Sequence, residues 1–112
     1  MKLLVLVLNK VECLEDILKA LSEKELHGAT ILDSKGMAHS LESFTELHFM
    51  LSLRRVLDPE HKESKTLFMI VKEEEVATVS AIVNEITGGL RQPDTGILFT
   101  LPVDSLEGFT LK

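Results

Sequence analysis

The sequence predicts a single α+β domain built from two β-α-β halves, and three observations lead to this prediction. Apolar runs of strand length open and close each half, a stripe of apolar residues at helical spacing lies between the runs, and glycine follows each stripe. The chain has 112 residues, which is the size of one domain, so we expect residues 1–112 to fold as one unit.

The first half begins with the apolar run of residues 3–8, which predicts a buried strand. The run stops at Asn9 and Lys10, acidic residues follow, and no small-residue cleavage site appears, so we expect a buried strand rather than the start of a signal sequence. We expect His27 and Gly28 to end the helix that follows, and Ile31 to lie in the second strand. The helix stripe consists of Leu14, Ile17, Leu18 and Leu21.

The second half repeats this pattern. Residues 66–71 predict a buried strand, and Gly88 and Gly89 are expected to close the second helix. Residues 97–101 predict the last strand, which we expect to stop at Pro102. The second helix stripe consists of Val76, Val79, Ile82, Val83 and Ile86.

Two right-handed β-α-β units of this kind form a four-stranded antiparallel sheet with both helices on one face, the ferredoxin-like βαββαβ sandwich. The strand residues are apolar at nearly every position, so the face without helices is expected to be apolar too. A second subunit is the simplest cover for that face, which predicts a homo-oligomer.

An insert at about residues 37–64 separates the halves. Ser43 and Glu46 fit a capping box, which predicts a helix that continues to about Leu57. The many apolar residues of this helix allow two interpretations. In the simpler one, the helix packs on its own sheet or on other subunits of a homotrimer. In the alternative, it packs on an outside partner. Its histidines lack the i, i+4 spacing of metal ligands, so solvated polar groups are favoured over a metal site: His39, His48 and His61.

The whole-chain numbers exclude several classes of partner. A net charge of −6 disfavours nucleic acid, and no stretch approaches the ~20 apolar residues of a membrane span. Cys13 is the only cysteine, so an intramolecular disulfide is impossible and a cytoplasmic location is expected. Glu12 and Asp16 beside Cys13 disfavour a thiolate, which favours inert packing over a reactive thiol at a helix N-terminus. No pattern indicates catalysis.

Two segments resemble the PII signal-transduction proteins, trimeric sensors of nitrogen and energy status. Residues 26–38, Leu-His-Gly-Ala-Thr-Ile-Leu-Asp-Ser-Lys-Gly-Met-Ala, resemble the family's strand that ends in Lys-Gly-Phe-Gly and opens its T-loop. Residues 87–103 resemble the family's Thr-Gly, Gly-Asp-Gly-Lys, Ile-Phe-Val and Pro-Val sequence, which contains the B-loop. The resemblance covers nearly all of residues 1–36 and 65–104.

The resemblance implies a homotrimer with a nucleotide between neighbouring subunits. It places Thr30, Gly36, Met37 and Ala38 on the T-loop side of that site. It places Thr87, Gly88, Gly89, Arg91 and Asp94 in the B-loop, where glycine lets backbone N–H groups approach phosphate oxygens.

The sequence departs from the family at positions that hold phosphate. Gly96 stands where the B-loop lysine is expected, Thr95 replaces the glycine before it, and the family's pair of arginines has no counterpart. The chain has no tyrosine, which excludes the usual uridylylation. Arg91 is the cation this loop has gained, and it either meets an anion or complements the C-terminus of the preceding helix.

The sequence therefore predicts a non-catalytic PII-like regulatory protein that senses a small anionic ligand and signals to an unidentified protein partner. An adenine nucleotide is the ligand that the resemblance implies. The alternatives are a ligand-free trimeric interaction module and, behind it, a trimer of the metal-tolerance type that shares the fold.

Overall fold

The computed structural model describes residues 1–37 and 63–108. In chain order the elements are β1 (Lys2–Leu8), a short 3-10 turn (Val11–Cys13), α1 (Leu14–Glu23), β2 (Thr30–Ser34), β3 (Ser64–Val71), α2 (Glu73–Thr87) and β4 (Gly96–Pro102). The helix predicted within residues 37–64, with Ser43 and Glu46, lies outside the described residues, as do His39, His48 and His61.

The four strands form one sheet in the order β2-β3-β1-β4, and every neighbouring pair is antiparallel. The predicted α+β class is confirmed, and this architecture is compatible with the ferredoxin-like arrangement. β3 begins at Ser64, earlier than the apolar run alone indicates, and β4 includes both Gly96 and Pro102. Pro102 is tolerated because it ends an edge strand, where a missing N–H costs little.

One face of the sheet and both helices enclose the hydrophobic core. Leu4, Leu6 and Leu8 of β1 alternate along the strand and point to this face. The core residues from the other elements are Ile17 and Leu21 of α1, Leu67, Met69 and Val71 of β3, and Val79 and Val83 of α2. Both predicted helix stripes are confirmed, because their remaining members pack against the same cluster.

The opposite face of the sheet, which we call the outer face, is apolar and carries no helix among the described elements. A row of three side chains, Phe68, Val5 and Phe99, runs across β3, β1 and β4. Val5 is only 5% exposed because the two phenylalanines flank it, whereas they are 37% and 45% exposed. The expectation of an apolar second face is confirmed.

The end of α1 differs from the prediction. The helix ends at Glu23, and Glu25 takes the left-handed conformation with φ 61°, ahead of the expected stop at His27 and Gly28. The N–H of Leu26 donates to the carbonyl of Leu21, and that of Glu25 donates to the carbonyl of Ser22. These two bonds form a Schellman motif. Burial of Leu26 against the core that contains Leu21 fixes the stop at this point.

The second helix, Glu73–Thr87, ends where the sequence predicts. The carboxylate of Glu75 accepts a hydrogen bond from the backbone N–H of Lys72 at 2.8 Å, which holds the first turn of α2. Gly88 follows Thr87 with φ 87°, the left-handed conformation that glycine adopts without strain. No helix in the two described ranges is long and apolar enough to cross a membrane.

We expect Glu25→Gly to stabilise the protein by about 0.5–1 kcal/mol, because glycine removes the strain of a left-handed side-chain-bearing residue. Urea unfolding measures the change in free energy. The matched control is Lys19→Gly, which places glycine in the interior of α1 and should instead cost about 1 kcal/mol. Equal destabilisation by both substitutions would contradict the left-handed assignment.

Candidate functional site

The candidate site centres on the α2–β4 loop, residues 88–95, which follows Thr87 at the end of α2. The Thr87 side chain is buried, and its hydroxyl donates to the carbonyl of Val83 at 2.7 Å. The same hydroxyl oxygen accepts the N–H of Gly89 at 3.3 Å. Thr87 therefore holds the start of the loop from inside the protein.

Lys10 holds the loop from the end of β1. Its Nζ atom donates to the carbonyl of Thr87 at 2.9 Å, across 77 positions in the sequence. This carbonyl is at the C-terminus of α2, where the partial negative charge of the helix favours a cation. The backbone N–H groups of Asn9 and Lys10 also donate to the carbonyl of Thr95, at 3.0 and 3.2 Å.

Some of the peptide N–H groups of the loop donate to acceptors within the protein. The Asn84 carboxamide oxygen accepts the N–H of Leu90 at 2.8 Å, and its nitrogen donates to the carbonyl of Ser80. The N–H of Gln92 donates to the carbonyl of Gly89 at 3.1 Å. Since the N–H of Gly89 is bonded to Thr87, at least three loop amides already have acceptors, and an anion would have to displace them.

Gly96 is required by the packing of two strands. It lies opposite Leu8 in the register of β1 and β4, with φ 154°. A Cβ atom built on Gly96 would lie 2.6 Å from the carbonyl oxygen of Val7. This close approach of two backbones explains why glycine, rather than the lysine of the resembled B-loop, occupies the position.

The T-loop residues of the predicted site lie at the other edge of the sheet. Thr30 begins β2, while Gly36 and Met37 follow its end and are exposed. Ala38 lies outside the described residues. Since β2 and β4 are separated by three strand spacings of about 4.8 Å, one chain holds the two groups roughly 14 Å apart. Gly36 and Met37 follow β2 at the end of the sheet where β4 begins, because Asp33, Lys65, Leu8 and Gly96 align across it, whereas Thr30 aligns with Phe68, Val5 and Phe99.

Arg91 and Asp94 are exposed on the α2–β4 loop. Asp94 takes the left-handed conformation with φ 57°, which aspartate tolerates better than most residues. The cation bonded to the last carbonyl of α2 is Lys10, so complementing that helix end is a role Lys10 already performs.

Cys13 is half-buried against the second helix. Its Sγ atom lies 3.8 Å from the carbonyl oxygen of Ile86. Burial raises the pKa of the Cys13 thiol, and the negative charges of Glu12 and Asp16 raise it further, against an opposing effect of Lys10. The geometry supports inert packing rather than a reactive thiol. Within residues 1–37 and 63–108, no cluster of histidine, cysteine or acidic side chains could hold a metal ion.

No protein-family model matches the chain, and no curated protein is a significant match to it.

Among the residues that hold the loop, the sequence analysis named Thr87 but not Lys10 or Asn84. Lys10, Asn84 and Thr95 anchor the loop. Of these residues, only Asn84 is close in the sequence to its partner, Leu90, so only that contact could have been inferred from local sequence. The partner of Lys10 lies at the far end of the chain.

We expect Gly96→Ala to destabilise the protein by at least about 2 kcal/mol, because the added methyl group meets backbone that cannot move without breaking the strand pair. Urea or thermal unfolding measures the loss. Gly28→Ala is the matched control, since a Cβ atom there meets nothing within 4 Å, and its effect should be small. A similar small effect at both positions would contradict the close approach of β1 and β4.

The Cys13 thiol should react slowly with iodoacetamide at neutral pH, because its raised pKa leaves little thiolate. The rate should still be increasing with pH above the ordinary thiol value of 9.0. The same protein unfolded in urea supplies the control and should react as fast as a free cysteine. A folded-state rate that levels off near neutral pH would contradict the raised pKa.

Proposed function

We propose that the protein is a non-catalytic, PII-like regulatory module of ferredoxin-like βαββαβ fold that acts in the cytoplasm as a homotrimer. It senses a small anionic ligand in clefts between subunits, an adenine nucleotide being the first candidate, and transmits the bound state through contacts with another protein. Nucleic acid and the membrane interior are not among its partners.

The observation that carries this proposal is the separation of the two halves of the site. Thr30, Gly36 and Met37 lie at the β2 edge of the sheet, and the α2–β4 loop leads into β4 at the other edge. One chain holds them too far apart for a single phosphate group to touch both. Two copies that bring the β2 edge of one near the β4 edge of the next would complete a cleft from both groups.

Charge supports an anionic ligand at this position. Lys10 and Arg91 belong to the two segments that meet at the α2–β4 loop, in a chain whose net charge is −6. Lys10 uses one of its three donors on the carbonyl of Thr87, and Arg91 is exposed. Arg91 is therefore the residue that we expect to contact the anion.

A specific observation also favours the ligand-free interaction module. Gly96 excludes a lysine where the resembled B-loop has one, and the N–H groups of Gly89, Leu90 and Gln92 are already bonded within the protein. Both features remove contacts that a phosphate-binding loop uses, each of which is worth about 1.5–3 kcal/mol when charge-assisted. In this alternative the loop is a rigid structural connection. No described residue cluster favours the metal-tolerance type of role.

A thermal-shift screen with ATP, ADP, AMP, cyclic adenine nucleotides and inorganic phosphate distinguishes the two functions. A ligand at 100 times its Kd stabilises the folded state by about 2.7 kcal/mol, which raises Tm by roughly 10 °C in a domain of this size. We expect at least one adenine nucleotide to raise Tm. No shift with any compound would favour the ligand-free module.

Arg91→Ala should abolish or strongly reduce the shift found with that nucleotide, while leaving the Tm of the ligand-free protein within a few degrees. Lys19→Ala is the matched control, because it removes the same charge from an exposed site on α1. Unchanged nucleotide binding in Arg91→Ala would place the ligand away from the α2–β4 loop.

A further inference from the structure

Lys10 is the central residue of an inverse γ-turn just after β1. Its φ of −81° and ψ of 69° are those of this turn, and the N–H of Val11 donates to the carbonyl of Asn9 at 2.9 Å across it. The N–H of Cys13 donates to the carbonyl of Lys10 at 3.0 Å, which joins the γ-turn to the 3-10 turn before α1. We call residues 9–13 the β1–α1 turn, and these two bonds hold its backbone.

The β1–α1 turn contacts both ends of the α2–β4 loop. The Nζ atom of Lys10 donates to the carbonyl of Thr87, just before the loop, and the backbone N–H of Lys10 donates to the carbonyl of Thr95, the last residue of the loop. The Sγ atom of Cys13 lies 3.8 Å from the carbonyl oxygen of Ile86, so the turn meets the last two carbonyl groups of α2. One short turn therefore fixes where the loop leaves α2 and where it enters β4.

These contacts lie beside residues in the left-handed conformation. Gly88 follows Thr87 with φ 87°, and Asp94 precedes Thr95 with φ 57°. Because Asp94 carries a side chain, its conformation costs free energy and persists only where neighbouring contacts hold the backbone. The backbone on either side of Arg91 therefore depends on bonds that the β1–α1 turn supplies.

Arg91 lies in the middle of this loop and is exposed. A long exposed side chain loses rotamer freedom when it binds a ligand, and a loop that must be ordered at the same time adds to that cost. With both ends of the loop held, the side chain is the main group that has to be ordered. The affinity for an anion at Arg91 therefore depends on a turn that lies outside the loop.

We propose that Lys10 is a positioning residue through which the β1–α1 turn controls the anion affinity of the α2–β4 loop. It holds the two ends of the loop so that Arg91 meets the anion, while its own Nζ atom stays on the carbonyl of Thr87. Because coupling between two sites is reciprocal, an anion bound at the loop also stabilises the turn. The proposal rests on the anion site of the proposed function and adds the element that regulates it.

Hydrogen exchange of the ligand-free protein tests the positioning. Lys10→Met removes the donors of the side chain, so we expect the N–H groups of Leu90 and Gln92 to exchange about tenfold faster, although neither bonds to Lys10. Lys10→Arg restores a donor and should restore slow exchange. The matched control is Lys72→Met, which removes a half-buried lysine at the other end of α2 and should leave the loop unchanged. Unchanged exchange at both N–H groups in Lys10→Met overturns the proposal.

Titration calorimetry with ATP, ADP, AMP and inorganic phosphate measures the effect on the anion site. For each compound that the wild type binds, we expect Lys10→Met to weaken binding about tenfold, and Lys10→Arg and Lys72→Met to bind as the wild type does. Residues that act through one another are not additive, so the loss caused by Lys10→Met should be about threefold smaller in an Arg91→Lys background, which keeps the charge. An equal loss in both backgrounds would mean that Lys10 contacts the anion independently, which overturns the positioning role.

The reciprocal effect is measured at Cys13, whose N–H bonds to the carbonyl of Lys10. The bound compound should slow exchange of this N–H group severalfold in the wild type and not in Lys10→Met. No slowing in the wild type contradicts control through the turn.

The outcomes separate this proposal from the proposed function. A wild type that binds a nucleotide with an affinity that Lys10→Met leaves unchanged refutes the role of Lys10 and leaves ligand sensing intact. A wild type that binds none of the four compounds refutes the anion site itself, and the control of that site falls with it.

Discussion

The pairing of β1 with both β3 and β4 is the constraint on which the rest of the structure depends. β1 belongs to the first half of the sequence, and both of its neighbours belong to the second half. The two β-α-β halves are therefore interleaved in one sheet and cannot form separate units. Leu4, Leu6 and Leu8 of the same strand belong to the hydrophobic core. Side chains of both helices pack in this core too, so β1 connects the two halves and also contributes to the core that the helices cover.

The same strand fixes the candidate site. Just beyond β1, Asn9 and Lys10 bond to Thr95 and Thr87, which lie at the two ends of the α2–β4 loop. The loop conformation is set by these contacts and by Asn84 and Thr87, rather than by a ligand. Such a loop is preorganised, which would lower the entropy cost of binding, and the peptide N–H groups of Gly89, Leu90 and Gln92 are already bonded within the protein.

Periodicity was sufficient to predict what hydrophobic burial alone determines. The stripes through Ile17 and Val79 and the apolar runs of β1 and β3 lie where the spacing of apolar residues places them, since burial acts on every residue of the element. The end of α1 was not predictable in this way. Glu25 has an unfavourable left-handed conformation, and packing of Leu26 against the core offsets its cost. Whether the packing outweighs the strain depends on tertiary structure.

The site was less predictable than the fold for a related reason. The sequence showed Arg91 and the glycines of the loop, but the role of Gly96 depends on the register of β4 against β1 and on the position of one carbonyl oxygen. The contact of Lys10 with Thr87 depends on the complete sheet. Patterns within a short stretch of sequence cannot predict contacts between residues that are far apart in the chain.

The long separation between β1 and β4 also governs how the chain can fold. Lys2 pairs with Pro102, so the sheet closes only when residues from both ends of the chain meet. Contacts of this separation carry a high loop-closure entropy, which slows folding. During synthesis, β1 is made before α1, β3, α2 and β4. The apolar side chains of β1 therefore lack their full set of partners until β4 has also been made.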